Sequence, residues 1–385
     1  MSKKLIRITT VPMSLKYLLK GQLAFMSKNG FNVTMISSDG QELNDVIENE
    51  KCAHIIIPLT RKITILKDLK ATYNLYKLIR KEKPDIVHTH TPKAGIIGML
   101  ASYFARVPIR LHTVAGLPLM EAIGFKRIIL NFVEKVTCKC STKVFPNSYG
   151  LKKIILKYKF TSEKKLKVIG NGSSNGIDTS FFDPELFSSK EKNKLKSDLG
   201  IERNDFVFIF VGRLVTDKGI NELVEVFNEL CSDLKSIKLL LVGPFEDELD
   251  PLSEKTKLLI SSHDKIISVG YQNDVRPFFA ISNSLVFPSY REGFPNVVMQ
   301  SGAMGLPSIV TDINGCNEII QTDYNGIIVP SKDIDSLKMA MSRIFQDKEL
   351  YLKCSEKSRL SIVNNYDQKL YWNTLLNEYE SYKNI

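Results

Sequence analysis

Hydrophobic runs of strand length alternate with helical patterns along nearly the whole chain. Apolar positions at residues 5–11 and 31–36 predict two strands, and residues 15–28 between them have the spacing of an amphipathic helix. Strands that alternate with helices are joined by right-handed crossovers, so they form a parallel sheet that helices cover on both faces. The same pattern predicts the other elements of the first half: strands at residues 53–59, 85–90, 109–113, 143–145 and 167–169, and helices at residues 66–80 and from Pro92.

The alternation stops near the middle of the chain and then starts again. Residues 170–176 are rich in glycine, asparagine and serine and cannot form a helix interior, and residues 181–202 are polar without a clear period. An apolar strand at Phe206–Val211 begins the second array. Its other predicted elements are strands at residues 239–242 and 266–269, Ser284–Phe287 and Ser308–Thr311, and helices at residues 336–345 and 368–382.

The two arrays predict an α/β protein with two Rossmann-like, doubly wound parallel-sheet domains that face each other across a cleft. We expect an N-terminal domain at residues 1–170, followed by residues 171–204 as a linker and the start of the second domain. The C-terminal domain is expected at residues 205–366, and a closing helix at residues 367–385 is expected to pack back on the N-terminal domain. Doubly wound sheets hold ligands beyond the carboxyl ends of their strands, so functional residues are expected there.

Composition supports a globular protein. The chain has 385 residues, of which 43% are hydrophobic, and this length is sufficient for two domains of ordinary size. The apolar runs are much shorter than the roughly 20 residues that a membrane-spanning helix needs. The N-terminus lacks the features of a signal peptide, and the six cysteines are scattered as in a reduced protein. These features predict a cytoplasmic location.

The net charge of +11 is distributed unevenly. Basic residues are in excess in residues 1–170, whereas acidic residues are in excess in residues 171–385. A basic half is typical of proteins that contact nucleic acid, an anionic membrane or a phosphorylated substrate, although solubility alone also explains such a surface. Nucleic-acid binding is disfavoured, because the basic residues are not interleaved with aromatic residues as in proteins that stack bases.

A strand-to-helix loop after Phe206–Val211 has the chemistry of a diphosphate site. Arg213 and Lys218 lie in this loop, so both side chains can point at one place beyond the sheet edge. A guanidinium fork, a mobile ammonium group and the N–H groups of the next helix all suit phosphate oxygens. The alternative is a solvated basic loop. The sequence matches neither the dinucleotide-binding fingerprint nor a Walker loop.

A second loop follows the predicted strand Ser284–Phe287. Its carboxylate, Glu292, can accept a hydrogen bond from a sugar hydroxyl, although compensation of a helix dipole is the alternative. Pro295 suits the first turn of the next helix, and Gln300 lies about one turn further on. Backbone N–H groups at this helix start come from Gly293, Phe294 and Asn296.

Histidines and an aspartate pair are further candidates for chemistry. His112 lies at the end of a predicted strand, at the edge that faces the cleft, which favours a functional role over a structural one. Asp333 and Asp335 form a D-x-D sequence, but Asp333 precedes a helical run and is interpreted as its N-cap. His88 and His90 have no cysteine or carboxylate at zinc-ligand spacing, so we predict no metal site.

The motifs around Arg213, Lys218 and Glu292 resemble the large family 4 of retaining glycosyltransferases of the GT-B type, many of which build bacterial surface polysaccharides. The resemblance rests on Gly212-Arg213 with Lys218-Gly219, on Pro288-Ser289 with Glu292-Gly293-Phe294-Pro295, and on Asn175-Gly176-Ile177-Asp178. It extends over nearly the whole chain. It implies an N-terminal acceptor domain and a C-terminal domain that binds a nucleotide sugar.

The resemblance assigns roles to these residues. It implies that Arg213 and Lys218 bind the donor pyrophosphate, that Glu292 binds a donor-sugar hydroxyl and that His112 lies near the donor sugar. Gln300 replaces a family glutamate that binds ribose hydroxyls, and it retains an acceptor oxygen without the charge. The first strand–helix loop, which ends at Ser14, lacks the glycine pair that the family often has there.

The resemblance also implies a reaction. It favours a retaining, metal-independent transfer of a hexosyl or N-acetylhexosaminyl group without a cofactor. The donor is expected to be a UDP-sugar, and the acceptor a saccharide on a lipid diphosphate in capsule, O-antigen or exopolysaccharide synthesis. A sugar-nucleotide epimerase or a phosphorylase with the same fold is the alternative.

Such an acceptor and the basic first half together predict a peripheral protein at the inner face of the cytoplasmic membrane. An apolar stretch at residues 119–133 is a candidate for the membrane interface, although core packing explains it equally well. Candidate contacts on the acceptor or membrane side are Ser14, Lys16, Lys20, Arg61, Lys62, Lys93, Lys126 and Arg127.

Overall fold

The computed structural model describes residues 2–60, 64–120, 122–248 and 250–382, which form two compact units. The first unit comprises Met1–Gly176 and Gln368–Ile385, and the second comprises Ile177–Asp367. The first unit continues beyond residue 170 because its own side chains hold the following turn. Gln22 Nε2 donates to the Ser174 carbonyl at 3.2 Å and to Asn175 Oδ1 at 2.9 Å.

Within the described residues, the sheet of the first unit has six parallel strands in the order β3-β2-β1-β4-β5-β6. These strands are β1 Lys3–Ile8, β2 Phe31–Ser37, β3 Ala53–Ile56, β4 Ile86–His90, β5 Ile109–Val114 and β6 Lys143–Pro146. The strand order reverses between β1 and β4, so the switch point of this doubly wound sheet lies beyond the carboxyl ends of those two strands.

Helices cover both faces of the first sheet. They are α1 Pro12–Leu18, α2 Gln22–Lys28, α3 Leu43–Glu50, α4 Ile65–Glu82, α5 Pro92–Phe104, α6 Gly124–Cys140, α7 Tyr149–Lys157 and, numbered last in the chain, α16 Gln368–Ser381. One core lies between the sheet and the layer formed by α4 and α5. A second core lies under α2 and α16, which contributes Tyr371, Leu375 and Tyr379. A third, smaller cluster lies around β6 and α7.

The core under α16 contains a fully buried arginine on β1. Arg7 Nη2 donates to Gln22 Oε1 at 2.6 Å, and Nη1 contacts the hydroxyl of Tyr379 on α16. The same guanidinium lies 3.0 Å from His88 Nδ1 and 2.6 Å from His90 Nε2. A buried cation is costly unless it is hydrogen bonded, so these partners stabilise its position. The hydroxyl of Tyr379 therefore links α16 to the centre of the first sheet.

The second sheet repeats this topology. Its described strands are all parallel in the order β12-β11-β10-β7-β8-β9. They are β7 Phe206–Val211, β8 Ile237–Val242, β9 Ile266–Ser268, β10 Ser284–Phe287, β11 Ser308–Thr311 and β12 Gly326–Val329. Here the order reverses between β7 and β10. The prediction of two doubly wound parallel-sheet domains is confirmed.

The helices of the second unit surround one large apolar core. They are α8 Ser189–Asp198, α9 Ile220–Asp233, α10 Glu254–Ser262, α11 Arg276–Ala280, α12 Asn296–Ala303, α13 Cys316–Ile319, α14 Ile334–Gln346 and α15 Lys348–Tyr366.

The prediction that Asp333 caps a helix is confirmed, because its carboxylate accepts from the Ser336 backbone N–H at 2.9 Å at the start of α14. Among all described residues, no helix is both long and apolar enough to cross a membrane.

Two predicted elements of the first unit are wrong. The single helix at residues 15–28 is two helices, because Gly21 adopts a left-handed φ of 77° and its N–H turns to the Glu50 carboxylate. A strand at residues 167–169 is absent from the described sheet, where only Leu166 forms an isolated bridge to Val144. The pattern also missed α8 in the polar segment at residues 181–202. A capping box between Ser188 and Glu191 stabilises this helix without an apolar face.

The packing of α16 predicts its contribution to stability. Leu375→Ala deletes a side chain with 0% exposure in the core of the first unit, so we expect the free energy of unfolding to fall by about 2–5 kcal/mol. Leu370→Ala is the matched control on the same helix, where the side chain is 47% exposed, and it should change stability by less than about 0.5 kcal/mol. Urea unfolding of both variants measures the difference. Equal values for the two variants would contradict the docking of α16.

Candidate active site

The two predicted donor loops meet at the switch point of the second sheet. Residues 212–219 follow β7 and residues 288–295 follow β10, and these strands are neighbours in the sheet. Parallel neighbours end at the same edge, so both loops leave the sheet side by side. The structure therefore brings the two predicted donor motifs to the same edge of the second sheet.

The two loops are in close backbone contact. Gly219 has a φ of 71°, and a Cβ there would overlap the carbonyl oxygen of Pro288. The Tyr290 N–H donates to the Asp217 carbonyl at 2.9 Å, and Arg291 Nη2 lies 2.5 Å from Asp217 Oδ2. Only glycine permits both the left-handed backbone and the close approach at position 219. These contacts fix the position of one loop relative to the other.

Lys218 and Glu292 form an ion pair across the two loops. Lys218 Nζ lies 2.5 Å from Glu292 Oε1, and the side chains are only 14% and 19% exposed. The Ser289 hydroxyl lies 3.4 Å from the same carboxylate oxygen. A largely buried pair is screened less by water than a surface pair. The site thus presents a mobile ammonium group and a carboxylate side by side, which suits a ligand with both phosphate and hydroxyl groups.

Arg213 lies on the same loop but is half-exposed. Its Nη1 is 2.7 Å from Glu246 Oε2, a residue of the loop that follows β8. The sequence pattern did not indicate Glu246 as a site residue. The acidic run at positions 246–248, directly after a buried strand, was the available signal, but the pairing with Arg213 depends on the fold.

Helix α12 begins beside Glu292. Pro295 is its N-cap rather than a residue of its first turn, and Asn296 is the first helical residue. Phe294 is buried, and a Cβ on Gly315 of the neighbouring loop would lie 2.7 Å from its Cα. Gly293 and Asn296 are half-buried, and Gln300 is half-buried on the second turn of α12. The N–H groups of this helix start are therefore held close to the ion pair.

Cys316 is the buried thiol nearest to this chemistry. Burial raises its pKa well above the ordinary value, and the charge of Glu292 raises it further. The thiol is therefore protonated at neutral pH and is a poor nucleophile. Polar groups of this site that remain available for chemistry include the two cations, Glu292 and the backbone N–H groups.

His112 belongs to the first unit and lies near the carboxyl end of β5. It lies inside β5, two residues before the end, with 2% exposure. Its Nδ1 is 2.8 Å from the Thr89 hydroxyl, and its ring packs against Gly95. Burial lowers its pKa to about 4, so the imidazole is neutral at neutral pH. A neutral ring can donate one hydrogen bond and accept another.

The predicted acceptor-side residues are spread over the first unit. Ser14 is half-buried in α1, and Lys126 is exposed on α6. Lys93 is not an available surface cation, because its ammonium lies 2.5 Å from Asp68 Oδ2 and the side chain is largely buried. Arg127 Nη2 donates to the Tyr158 hydroxyl at 2.8 Å.

Two of the other predicted surface cations, Lys16 and Lys20, lie within the described residues. Lys16 pairs with Asp45 at 2.6 Å, and Lys20 is exposed. Arg61 and Lys62 lie outside the described residues. The basic character of this unit is thus partly neutralised by internal ion pairs.

The histidine pair of β4 is part of the first core. His88 and His90 stack with ring centroids 4.7 Å apart, and the Arg7 guanidinium contacts a nitrogen of each ring. A fixed cation at these nitrogens opposes binding of a metal ion. Among the described residues, no group of three or more histidine, cysteine, aspartate or glutamate side chains is arranged to hold a metal.

Comparison with known proteins gives the family. Residues 191–361 match the model described as glycosyl transferases group 1, and residues 10–148 match the model described as glycosyl transferase 4-like. The capsular polysaccharide biosynthesis glycosyltransferase CapM of Staphylococcus aureus is 34% identical over 99% of this chain and 98% of its own length.

Two further proteins extend the comparison. The UDP-Gal:alpha-D-GlcNAc-diphosphoundecaprenol alpha-1,3-galactosyltransferase of Escherichia coli is 31% identical, over 88% of this chain and 86% of its own length. The crystal structure of a glycosyltransferase from Rickettsia africae superimposes with a TM-score of 0.83 at 22% identity and covers 100% of both chains, which supports the fold. The predicted resemblance is thereby confirmed, and this chain belongs to the family 4 glycosyltransferases with the GT-B fold.

Proposed function

We propose that this glycosyltransferase is a retaining, metal-independent hexosyl- or N-acetylhexosaminyltransferase of surface-polysaccharide synthesis. Its donor is a nucleotide diphosphate sugar, expected to be UDP-linked, and its acceptor is a saccharide on a lipid diphosphate. The observation that carries the proposal is the Lys218–Glu292 pair beside Arg213 at the second switch point. These groups together suit a diphosphate and an adjacent sugar.

The donor assignment follows from charge and position. Arg213 and Lys218 supply two cations to the pyrophosphate, and the start of α12 adds backbone N–H groups and a helix dipole. Gly293, Phe294, Pro295 and Asn296 shape that helix start, and Gln300 faces the ribose. UDP is preferred because the galactosyltransferase relative is named for UDP-Gal.

The acceptor assignment follows from the relatives. One is named for capsular polysaccharide biosynthesis, and the other for a sugar on diphosphoundecaprenol. Both cover most of this chain, which supports the same acceptor class and the same process here. We propose that no cofactor takes part.

In the proposed reaction, the bond between the anomeric carbon and the diphosphate breaks, and the acceptor hydroxyl attacks from the same face. The acceptor proton passes to a phosphate oxygen of the departing nucleoside diphosphate. Arg213, Lys218 and the helix-start N–H groups stabilise the charge that develops on this leaving group, in place of a metal ion. Glu292 is proposed to hold a donor-sugar hydroxyl, and a place for His112 near the donor sugar is proposed from the family resemblance alone.

An epimerase with the same fold is not favoured, because the relatives are named as glycosyltransferases. Incubation with a nucleotide sugar in the absence of acceptor separates the two activities. A transferase gives only slow hydrolysis, whereas an epimerase gives a free epimer.

The two cations can be tested directly. Arg213→Ala and Lys218→Ala each remove a charge-assisted contact worth about 1.5–3 kcal/mol, so UDP affinity should fall by roughly 10- to 150-fold. Calorimetric titration with UDP measures this loss. Arg343→Ala and Lys338→Ala are the matched controls, because these residues form surface ion pairs elsewhere in the second unit. Wild-type affinity in both site variants would exclude this loop as the phosphate site.

Metal independence can be tested with the wild-type enzyme. Turnover should persist in excess EDTA, because the cation pair stabilises the leaving diphosphate without a divalent ion. A radiolabelled-sugar transfer assay before and after chelation measures this. Activity that disappears in EDTA and returns with magnesium or manganese would contradict the proposed mechanism.

We also propose that the first unit contacts an anionic membrane surface. The start of α6 exposes Ile123, Phe125, Ile128 and Phe132, and Lys126 lies among them. Core packing does not explain these side chains, because they lie on the outer face of the helix.

The first half of α4 exposes a second apolar row, which the sequence pattern did not indicate. Its members are Ile65, Leu66, Leu69 and Tyr73. Exposed apolar rows flanked by lysines are typical of helices that lie in a membrane interface.

Vesicle binding tests this surface. The protein should sediment with vesicles of anionic lipid at low salt and dissociate as salt rises, because charge attraction is screened. Phe125→Glu with Ile128→Glu should reduce binding, whereas Leu258→Glu, at an exposed site of the second unit, should not. Indifference of the wild type to anionic vesicles would favour a soluble acceptor.

A further inference from the structure

The loop after β8 is attached to the loop of the two cations. The Asp217 N–H donates to Asp250 Oδ2 at 2.7 Å, and the Thr216 hydroxyl donates to the Pro251 carbonyl at 2.6 Å. Glu246 belongs to the same loop, and its carboxylate meets Arg213 Nη1 at 2.7 Å. The loop after β8 therefore holds a carboxylate at one of the cations proposed to bind the donor.

Both proposed phosphate-binding cations are thus paired with carboxylates. Lys218 is paired with Glu292 and Arg213 with Glu246. Glu292 has a role at the donor sugar in the proposed function, but Glu246 has none. A diphosphate that approaches Arg213 meets a guanidinium whose charge is already compensated by Glu246.

We propose that Glu246 is an affinity-setting residue that competes with the donor diphosphate for Arg213. In the absence of ligand it holds the guanidinium in place, and the diphosphate displaces it on binding. The carboxylate returns to Arg213 as the nucleoside diphosphate leaves, which favours release of this product. This inference rests on the proposed donor site and adds a residue that weakens binding there.

The expected effect is moderate, because Arg213 and Glu246 are both partly exposed. Exposed ion pairs contribute about 0.2–1 kcal/mol, and removal of the competitor should therefore tighten diphosphate binding by up to about fivefold. The gain should shrink at high salt, because solvent ions screen a surface pair.

The neighbouring aspartate provides a matched control. Asp247 Oδ1 lies 2.9 Å from Lys257 Nζ, so this carboxylate pairs away from Arg213. Asp247→Asn removes the same charge from the adjacent position. Glu246→Gln keeps the size of the side chain but removes the negative charge, so it weakens the competition with the diphosphate for Arg213.

Calorimetric titration of the full chain with UDP, ADP and GDP tests the proposal. For the nucleotide that binds the wild type best, Glu246→Gln should lower Kd by about two- to fivefold, whereas Asp247→Asn should leave Kd near the wild-type value. In an Arg213→Ala background, Glu246→Gln should have no effect, because the competed cation is gone. Thermal unfolding of each variant verifies that it is folded.

Four results would overturn the proposal. Weaker binding in Glu246→Gln would mean that Glu246 supports Arg213 instead of competing for it. An equal gain in both loop variants, or a gain that survives in the Arg213→Ala background, would indicate a general field effect. Failure of the wild type to bind any of the three nucleotides would remove the proposed donor site itself, and competition with it.

Discussion

The proposed donor site depends on the close approach of Gly219 to the carbonyl of Pro288. A side chain at position 219 would force the two loops to shift relative to each other, and these loops carry the two members of the Lys218–Glu292 pair. Doubly wound topology brings the loops to one edge, but this backbone contact brings their side chains within hydrogen-bonding distance. The geometry of the proposed site therefore depends on glycine at position 219 as well as on the charged residues.

Much of the fold could be predicted from the sequence, because buried parallel strands are continuous apolar runs. Phe206–Val211, Ser284–Phe287 and Ser308–Thr311 have the predicted limits. The prediction failed where hydrogen bonds override the apolar pattern. Gly21 interrupts a helical pattern because Glu50, distant in sequence, accepts its N–H, and α8 forms from a capping box without an apolar face.

The site was predicted less completely than the fold. Arg213, Lys218 and Glu292 follow strand ends, so topology alone brings them to one edge. The partner of Arg213 could not be predicted, because Glu246 comes from a loop whose path is fixed by contacts to Asp217. Burial of His112 and of Lys93 likewise depends on neighbours from other elements, Gly95 and Asp68. The local sequence shows which ionisable side chains are present, but it does not show which side chains from other elements they contact.

Helix α16 has a consequence for biosynthesis. It follows the whole second unit in sequence, yet it completes the core of the first unit, in which Tyr379 contacts Arg7 of β1. During translation, the first unit emerges with that core uncovered and with Arg7 lacking its tyrosine partner, until the whole second unit has been made. Because uncovered apolar surface is prone to aggregation, the nascent chain is exposed to misfolding and to chaperone capture over this interval. Truncation before residue 368 would make that vulnerable state permanent.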